Sequence, residues 1–213
     1  TLEQAQIAKA RHIAGKLLIK PGDKILDIGC GWGSMAFYLA QHYDCEVTGI
    51  TLSREQLLVA QREAEKRGVT NVRFELCDYR EHKGQYDRIV SIGMFEHVGR
   101  PFYASYYKQI NSLLARNGVA LVHTIGRSGQ PGATNPWIRK YIFPGGSTPS
   151  VSQVSSSVAN TNLMITDMEV WRLHYAKTLH HWYERFQQHR QEIELHTSAE
   201  FFRMWEFYLT VCE

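Results

Sequence analysis

The sequence is poor in the residues that build metal centres and disulfide frameworks. Its 213 residues include four cysteines, and no two of them have CxxC spacing: Cys30, Cys45, Cys77 and Cys212. Such a scatter is not typical of a zinc site or of a disulfide-rich secreted domain. We therefore expect reduced thiols, no bound metal and a cytoplasmic protein.

Long apolar runs and a strong charge bias are also absent. No segment approaches the roughly 18 uninterrupted apolar residues of a membrane-spanning helix, and the first residues lack the pattern of a secretory signal. Basic residues number 24 and acidic residues 21, a net charge of +3, which is too mild for a dedicated nucleic-acid binder. We expect no nucleic-acid partner and a single domain over residues 1–213, a length that suffices for one buried core.

Short β-rich segments alternate with helical patterns along the first 124 residues. The expected strands are residues 24–28, 46–50, 72–76, 88–92 and 119–124, after a first helix over 4–18. This alternation predicts an α/β fold with a mostly parallel sheet that is covered on both faces.

Capping signals suggest where two later helices begin and end. One helix begins at Ser53, with Gln56 three residues later as the second half of a capping box. Another begins near Pro101, and Asn117 and Gly118 are expected to end it.

After residue 124 the composition changes to segments rich in Gly, Pro and Ser. We interpret 126–137 and 143–157 as loops around the aromatic and basic stretch 137–143, WIRKYIF. Two aromatic stripes with helical spacing follow: first Leu179, Trp182, Tyr183 and Phe186, and then Phe201, Trp205, Tyr208, Leu209 and Cys212.

The most informative stretch is KILDIGCGWGSMAFYLA, residues 24–40, in which a strand runs into three glycines and then into a helix. In an open α/β sheet ligands bind beyond the carboxyl ends of the strands, so this turn is where a cofactor would lie. The GxGxG spacing differs from the dinucleotide GxGxxG pattern, and no Gly-Lys-Ser/Thr follows as in a phosphate-binding loop.

The turn resembles the S-adenosylmethionine-binding loop of class I methyltransferases, D-x-G-x-G-x-G. Asp27, Gly29, Gly31 and Gly33 match it position for position, with Cys30 between the first two glycines. The resemblance implies a Rossmann-like three-layer sandwich and S-adenosylmethionine as cofactor. The alternative interpretation is a tight turn that only packs a helix on a strand and binds no ligand.

The segment after the second strand lacks the acidic residue that many such enzymes use for the ribose. It reads GITLSREQ, which resembles the form seen in cyclopropane-fatty-acid synthases and mycolic acid methyltransferases. That resemblance gives Thr51, Leu52 and Gln56 to the cofactor site, although capping alone would account for Gln56. Asp78 and Tyr79 match a segment that borders the adenine in the family, with a turn aspartate as the alternative.

Further segments extend the resemblance over nearly the whole chain: RIVSIGMFEHVG, LVHTIG, PWIRKYIFPGG, PSV and WYERF. They are similar to the cyclopropane-fatty-acyl-phospholipid synthase and mycolic acid cyclopropane synthase family. This implies transfer of a methylene from S-adenosylmethionine to the cis double bond of an unsaturated phospholipid acyl chain, through a carbocation that then loses a proton.

The family resemblance also implies the base for that proton. In these enzymes a bicarbonate ion is held by residues that correspond to Glu96, His123, the backbone N–H of Ile125, and Tyr183. His123 and Tyr183 can donate hydrogen bonds to an anion, whereas an ionised Glu96 must accept the ion's own proton. We interpret the neighbouring His97 as structural.

Residues 126–213 are expected to contribute the acyl-chain site and cap helices. Five aromatic residues could line an apolar tunnel, although core packing explains each of them singly: Phe95, Trp137, Tyr141, Phe143 and Trp182. A membrane-surface contact, peripheral to the inner face of the membrane, is expected around Trp137, Arg139, Lys140 and Tyr141, with a solvated loop as the alternative. We also consider a homodimer.

Family members carry a segment like Y-S-C-x-Y-W before the first helix and a last strand like IQLWQVVF, so we expect this chain to be a fragment with the last strand missing. Three alternatives to cyclopropanation stay open. The first is a related S-adenosylmethionine-dependent C- or N-methyltransferase with a different lipid or a small amine as acceptor. The second is a non-catalytic module that binds a nucleotide or lipid. The third, a dinucleotide oxidoreductase, is opposed by the GxGxG spacing and the missing ribose acid.

Overall fold

The structure, a computed structural model, describes all residues from Thr1 to Glu213. Five strands are present: β1 Asp23–Ile28, β2 Cys45–Thr51, β3 Val72–Leu76, β4 Tyr86–Ile92 and β5 Leu114–His123. The nine α-helices are α1 Leu2–Leu17, α2 Ser34–His42, α3 Arg54–Arg67, α4 Tyr103–Leu113, α5 Pro136–Tyr141, α6 Val151–Val158, α7 His174–Gln188, α8 Arg190–His196 and α9 Ala199–Cys212. Two short 3-10 helices, Phe95–His97 and Arg100–Phe102, lie between β4 and α4.

The strands form one all-parallel sheet in the order β3-β2-β1-β4-β5, which confirms the predicted α/β fold. Ile25 of β1 pairs with Val47 of β2 on one side and with Arg88 of β4 on the other. The order reverses between β1 and β4, so the crevice for a ligand is expected beyond the carboxyl ends of these two strands.

Apolar clusters cover both faces of the sheet. One contains Ile13 and Leu17 of α1 together with Phe37 and Leu39 of α2, all at most 2% exposed. The other is dominated by α4, whose Tyr106 is fully buried with the strand residues around it. Burial of this kind holds the helices against the sheet and fixes the loops at its carboxyl edge.

Two local predictions are wrong, and a third holds only in part. The helix expected to end at Asn117 and Gly118 ends at Leu113, because Leu114 is already extended and pairs with Tyr86 of β4. Asn117 still has a left-handed φ of 62°, but it uses that conformation in an irregularity of β5 rather than in a helix cap.

The capping box expected in α3 forms only by half. The Ser53 hydroxyl accepts the backbone N–H of Gln56, as predicted. The Gln56 side chain does not return the bond to Ser53; it accepts the hydroxyl of Thr51 at 2.8 Å, and that hydroxyl also accepts the N–H of Ser53.

The loop predicted over 143–157 contains helix α6. Ser150 and Gln153 form a complete capping box at its start, and Val158 is buried against α4 and the sheet. A run of serines suggested a loop, but the cap and the buried valine face stabilise the helix. The stretch after Asn135 is likewise helical, as α5, and the Asn135 side chain accepts the N–H of Trp137.

The chain divides into two compact units. The larger contains residues 7–134 and 145–165, and the smaller contains residues 1–6, 135–144 and 166–213. The two aromatic stripes fall on α7 and α9 of the smaller unit, as predicted, where Leu179, Tyr208 and Leu209 form the buried centre. The expectation of a single domain stays a prediction.

Among the helices, none combines the length and the apolar character that crossing a bilayer requires.

Candidate functional site

The glycine turn lies between β1 and α2, at the carboxyl edge of the sheet. Its backbone is anchored because the N–H groups of Gly29 and Cys30 both donate to the carbonyl of Ile50, each at 3.0 Å. Gly33 has φ 86°, and a Cβ there would come within 2.7 Å of the Phe74 ring. A Cβ on Gly31 would meet nothing within 4 Å, so open space lies above the middle of the turn.

The glycine turn is also in contact with the segment that carries Glu96. A Cβ added to Gly29, which has φ 78°, would lie 2.7 Å from Cγ of Met94. Met94 precedes Glu96 by two residues. The turn and the Glu96 segment are therefore neighbours at the crevice, and a side chain at Gly29 would push them apart.

Asp27 is a buried carboxyl group at the end of β1. Burial raises its pKa to about 7, and its Oδ2 has no hydrogen-bond partner. The neighbouring Cys30 thiol lies in the core, where burial, and then the charge of Asp27, raise its pKa to about 12. A thiol of this kind is not a nucleophile at neutral pH, so contact between Cys30 and a cofactor is better assigned to its backbone.

Polar and apolar groups meet where β2 ends. The Thr51 hydroxyl and the Gln56 side chain are hydrogen-bonded to each other, so the two predicted ribose-binding side chains are side by side. Two apolar side chains on the flanking loops are well exposed, Leu52 by 71% and Trp32 by 54%. Exposed apolar groups beside a polar pair are suited to a ligand with one flat and one hydroxylated part.

Asp78 and Tyr79 follow β3. The Asp78 carboxylate accepts the backbone N–H of Arg80 at 2.9 Å and also pairs with the Arg80 guanidinium. The hydrogen bond from the guanidinium is the main cause that lowers the pKa of the Asp78 carboxyl. Asp78 is thus a turn aspartate in this structure. Tyr79 is partly buried and packs edge-on against Tyr106 at 5.3 Å. Their contact with an adenine stays a prediction.

Glu96 lies in the 3-10 helix after β4 and is held at both its backbone and its side chain. The Ile125 N–H, just after β5, donates to Oε1 of Glu96 at 2.7 Å. The Ser147 N–H donates to its carbonyl at 2.8 Å. Oε2 is buried without a hydrogen-bond partner. One carboxylate oxygen is therefore fixed and the other is available to a ligand.

His123 lies at the end of β5, where it pairs in register with Ile92 of β4. Burial lowers the pKa of its imidazole, the positive charge of Lys9 lowers it further, and the negative charge of Glu96 acts in the opposite direction. Glu96, His123 and Ile125 are thus brought together by the carboxyl ends of β4 and β5. Ile125 reaches the group through Glu96, and its direct contact with an anion stays a prediction.

Tyr183 lies on α7 in the smaller unit, packed against the cluster around Leu179. Its convergence with Glu96 and His123 stays a prediction.

Of the aromatic residues considered for a tunnel, Phe95 is fully buried with its ring 4.5 Å from that of Tyr103, so core packing accounts for it. Trp137 packs edge-on against Phe207 at 4.8 Å within the smaller unit.

Two residues at this site were not predicted from the sequence. Ser147 contacts the Glu96 backbone from a loop 51 residues away in the sequence, and no local sequence pattern predicts this contact. Lys9 is different, because it occupies the same helical stripe as the buried Ile13 and Leu17, and a lysine on an apolar stripe is a readable signal.

The residues of the crevice fit S-adenosylmethionine. The space above Gly31 leaves room for the backbone to approach a ligand, the orphaned Oδ2 of Asp27 is a potential acceptor for an ammonium group, and Thr51 with Gln56 offers hydroxyl-binding groups. Together with the strand order, these features define a protein with the class I methyltransferase fold.

Comparison with known proteins then gives the family. The family model described as mycolic acid cyclopropane synthetase matches residues 1–213, and the chain belongs to that family. It is similar to the cyclopropane-fatty-acyl-phospholipid synthase of Escherichia coli strain K12, with 44% identity over 99% of this chain and 54% of that protein. A probable fatty acid methyltransferase of Pseudomonas putida is 39% identical over 100% of this chain and 56% of that protein.

A solved structure supports the same assignment. The crystal structure of mycolic acid cyclopropane synthase CmaA1, complexed with SAH and CTAB, superposes with a TM-score of 0.91 at 33% identity, and covers 100% of this chain and 79% of that one. The chain spans about half the length of the Escherichia coli and Pseudomonas putida relatives.

Proposed function

We propose that the protein transfers a methylene group from S-adenosylmethionine to the cis double bond of an unsaturated phospholipid acyl chain, forming a cyclopropane ring with bound bicarbonate as the base. The observation that carries this proposal is the state of Glu96. One of its oxygens is fixed by the Ile125 N–H, the other is buried without a partner, and His123 and the glycine turn are its neighbours.

The cofactor site follows from the crevice. The residues proposed to hold S-adenosylmethionine are Asp27, Gly29, Cys30, Gly31, Gly33, Thr51, Leu52, Gln56, Asp78 and Tyr79. When bound, this cofactor supplies an electrophilic methyl group. The CmaA1 relative was solved with SAH, which supports the cofactor assignment for this chain.

The proton chemistry falls to Glu96 and His123. Because Oε1 already accepts a backbone N–H and Oε2 is buried without a partner, Oε2 would accept the O–H of a bicarbonate ion rather than repel its charge. A neutral His123 donates an N–H to the same anion, and Tyr183 is proposed to donate its hydroxyl. Bicarbonate held by these residues would supply the base for the proton that the added methyl group loses.

A second candidate, C-methylation of a fatty acyl chain without ring closure, is favoured by the similarity to the Pseudomonas putida protein. It would use the same cofactor residues. The two functions differ in the product, because ring closure consumes the double bond and leaves no methyl branch.

Incubation of the full-length protein with labelled S-adenosylmethionine and an unsaturated phospholipid tests both. Cyclopropanation adds one CH2 unit to the acyl chain with loss of its double bond, read by mass spectrometry and by the upfield ring protons in NMR. A methyl-branched chain would favour the second candidate. Label in an amine headgroup would favour an N-methyltransferase, and cofactor binding with no product would favour a binding module.

We also propose a cytoplasmic location and a peripheral contact with the membrane surface through α5. This helix exposes Arg139, Lys140 and Tyr141, and the Lys140 ammonium lies 4.8 Å from the Tyr141 ring centre. Basic and aromatic groups together favour an anionic bilayer surface. Replacing Arg139 and Lys140 by glutamine should reduce co-sedimentation with anionic vesicles, whereas replacing the exposed Arg11 and Lys20 in the same way should not. The proposed homodimer is checked by light scattering.

A further inference from the structure

The first helix carries a lysine where its neighbours are buried. Lys9, Ile13 and Leu17 are spaced by four residues and so share one face of α1, and Ile13 and Leu17 are at most 1% exposed. Lys9 is half-buried, and burial lowers the pKa of its ammonium. It makes no hydrogen bond or ion pair with the protein. An unpaired cation on a buried stripe is costly unless a ligand or a nearby charge compensates it.

The packing of α1 brings Lys9 to the carboxyl edge of the sheet. The carbonyl of Leu18, just past the end of α1, accepts the guanidinium of Arg88 near the start of β4. Ala10, Ile13 and Leu17 of α1 belong to the same buried cluster as Val90 and Ile92 of β4. Ile92 pairs with His123 at the carboxyl end of the sheet, and the charge of Lys9 acts on that imidazole, so Lys9 lies on this side of the sheet near His123.

We propose that Lys9 is the cation of the anion pocket: its ammonium balances the negative charges of Glu96 and of the bound bicarbonate. Its charge also adds to burial, the larger cause, in lowering the pKa of His123. This rests on the proposed function of the same site. Without Lys9, the pocket would bring two negative charges together with no opposing charge. A protonated His123 would in turn compete as a proton donor to the base, so keeping the imidazole neutral protects the proton transfer.

The test uses the full-length protein with Lys9→Met, which keeps the length of the side chain and removes its charge, and with Lys9→Arg, which keeps the charge. Lys20→Met is the matched control, since Lys20 is exposed just beyond α1. The His123 pKa is followed by NMR, the bicarbonate dependence of activity is measured, and calorimetry measures S-adenosylhomocysteine binding.

In Lys9→Met we expect the His123 pKa to rise by about one unit and the bicarbonate half-saturation concentration to rise about tenfold, as for loss of a nearby charge in a partly buried site. Lys9→Arg and Lys20→Met should resemble wild type, and S-adenosylhomocysteine affinity should be unchanged. The melting temperature of Lys9→Met should not fall, because an unpaired buried ammonium has been removed.

An unchanged His123 pKa in Lys9→Met would overturn the inference, and so would a Lys9→Arg variant as impaired as Lys9→Met, since shape rather than charge would then matter. Weaker S-adenosylhomocysteine binding with normal bicarbonate dependence would move Lys9 to the cofactor site and also overturn it. A wild-type enzyme indifferent to bicarbonate would refute the proposed base instead, and the His123 titration would still decide whether Lys9 holds the imidazole neutral.

Discussion

At the residue scale, two carboxyl groups of the candidate site lie in unusual environments. Glu96 has one oxygen fixed and one without a partner, and Asp27 is buried with an orphaned oxygen. The sequence singled out both residues as candidates, because each lies in a short motif with a local spacing. The Ile125 bond to Glu96 joins residues 29 apart, and only the meeting of β4 with β5 makes it.

Replacing Glu96 by glutamine should lower kcat by about 100-fold or more, because the amide can still accept the Ile125 N–H but would present a donor where the anion needs an acceptor. Affinity for S-adenosylhomocysteine, measured by calorimetry, should stay within about twofold of wild type, since no cofactor contact is removed. Full activity in Glu96→Gln would exclude it from the proton path.

Asp27→Asn should change how stability depends on pH. The folded-state pKa of Asp27, about 7, lies above the unfolded value near 3.8, so its stabilising contribution is fully present below pH 3.8 and is lost as pH rises through 7. The variant has no such loss, so its stability relative to wild type should increase between pH 5 and pH 8 by on the order of 3 kcal/mol. Urea unfolding at both pH values measures this, and parallel curves for the two proteins would refute it.

At the element scale, the glycine turn and the helix caps do the positioning. The turn was predictable because three glycines at alternate positions after a strand have few other uses. The end of α4 was not, because Asn117 and Gly118 look like a cap and the pairing of Leu114 with Tyr86 decides otherwise. Helix α6 was not predicted, because its valines stabilise a helix only through packing against other elements. Ser150 and Gln153 nevertheless have the spacing of a capping box in the sequence.

Alanine should have opposite effects on stability at a glycine of the turn and at a glycine of an ordinary helix. Gly33→Ala should destabilise the protein by at least about 1–2 kcal/mol, because its φ is 86° and the new Cβ would meet Phe74. Gly15→Ala, in α1 with open space around it, should stabilise by about 0.5–1 kcal/mol. Denaturant unfolding compares the two, and equal effects would show that the turn is not constrained.

At the scale of the whole molecule, strand order and motif order agree with one fold. The alternating pattern predicted every strand, because that signal is local in sequence. Two of the family segments, RIVSIGMFEHVG and LVHTIG, run through the ends of β4 and β5, where the candidate site residues Glu96 and His123 lie. Three features depend on packing between distant segments, so no local pattern contained them: the two units, the hydrogen bond from Ser147 to Glu96, and the bond from Arg88 of β4 to the carbonyl of Leu18 after α1.

The proposed function requires one pocket that holds both the cofactor and a small oxygen-rich anion. A crystal structure of the full-length protein with S-adenosylhomocysteine and bicarbonate would show whether that pocket exists. We predict the cofactor above Gly31, and the anion within hydrogen-bonding distance of Glu96 Oε2, His123 and the Tyr183 hydroxyl. An anion bound elsewhere, or a Tyr183 side chain turned away from Glu96 and His123 in that complex, would contradict the account.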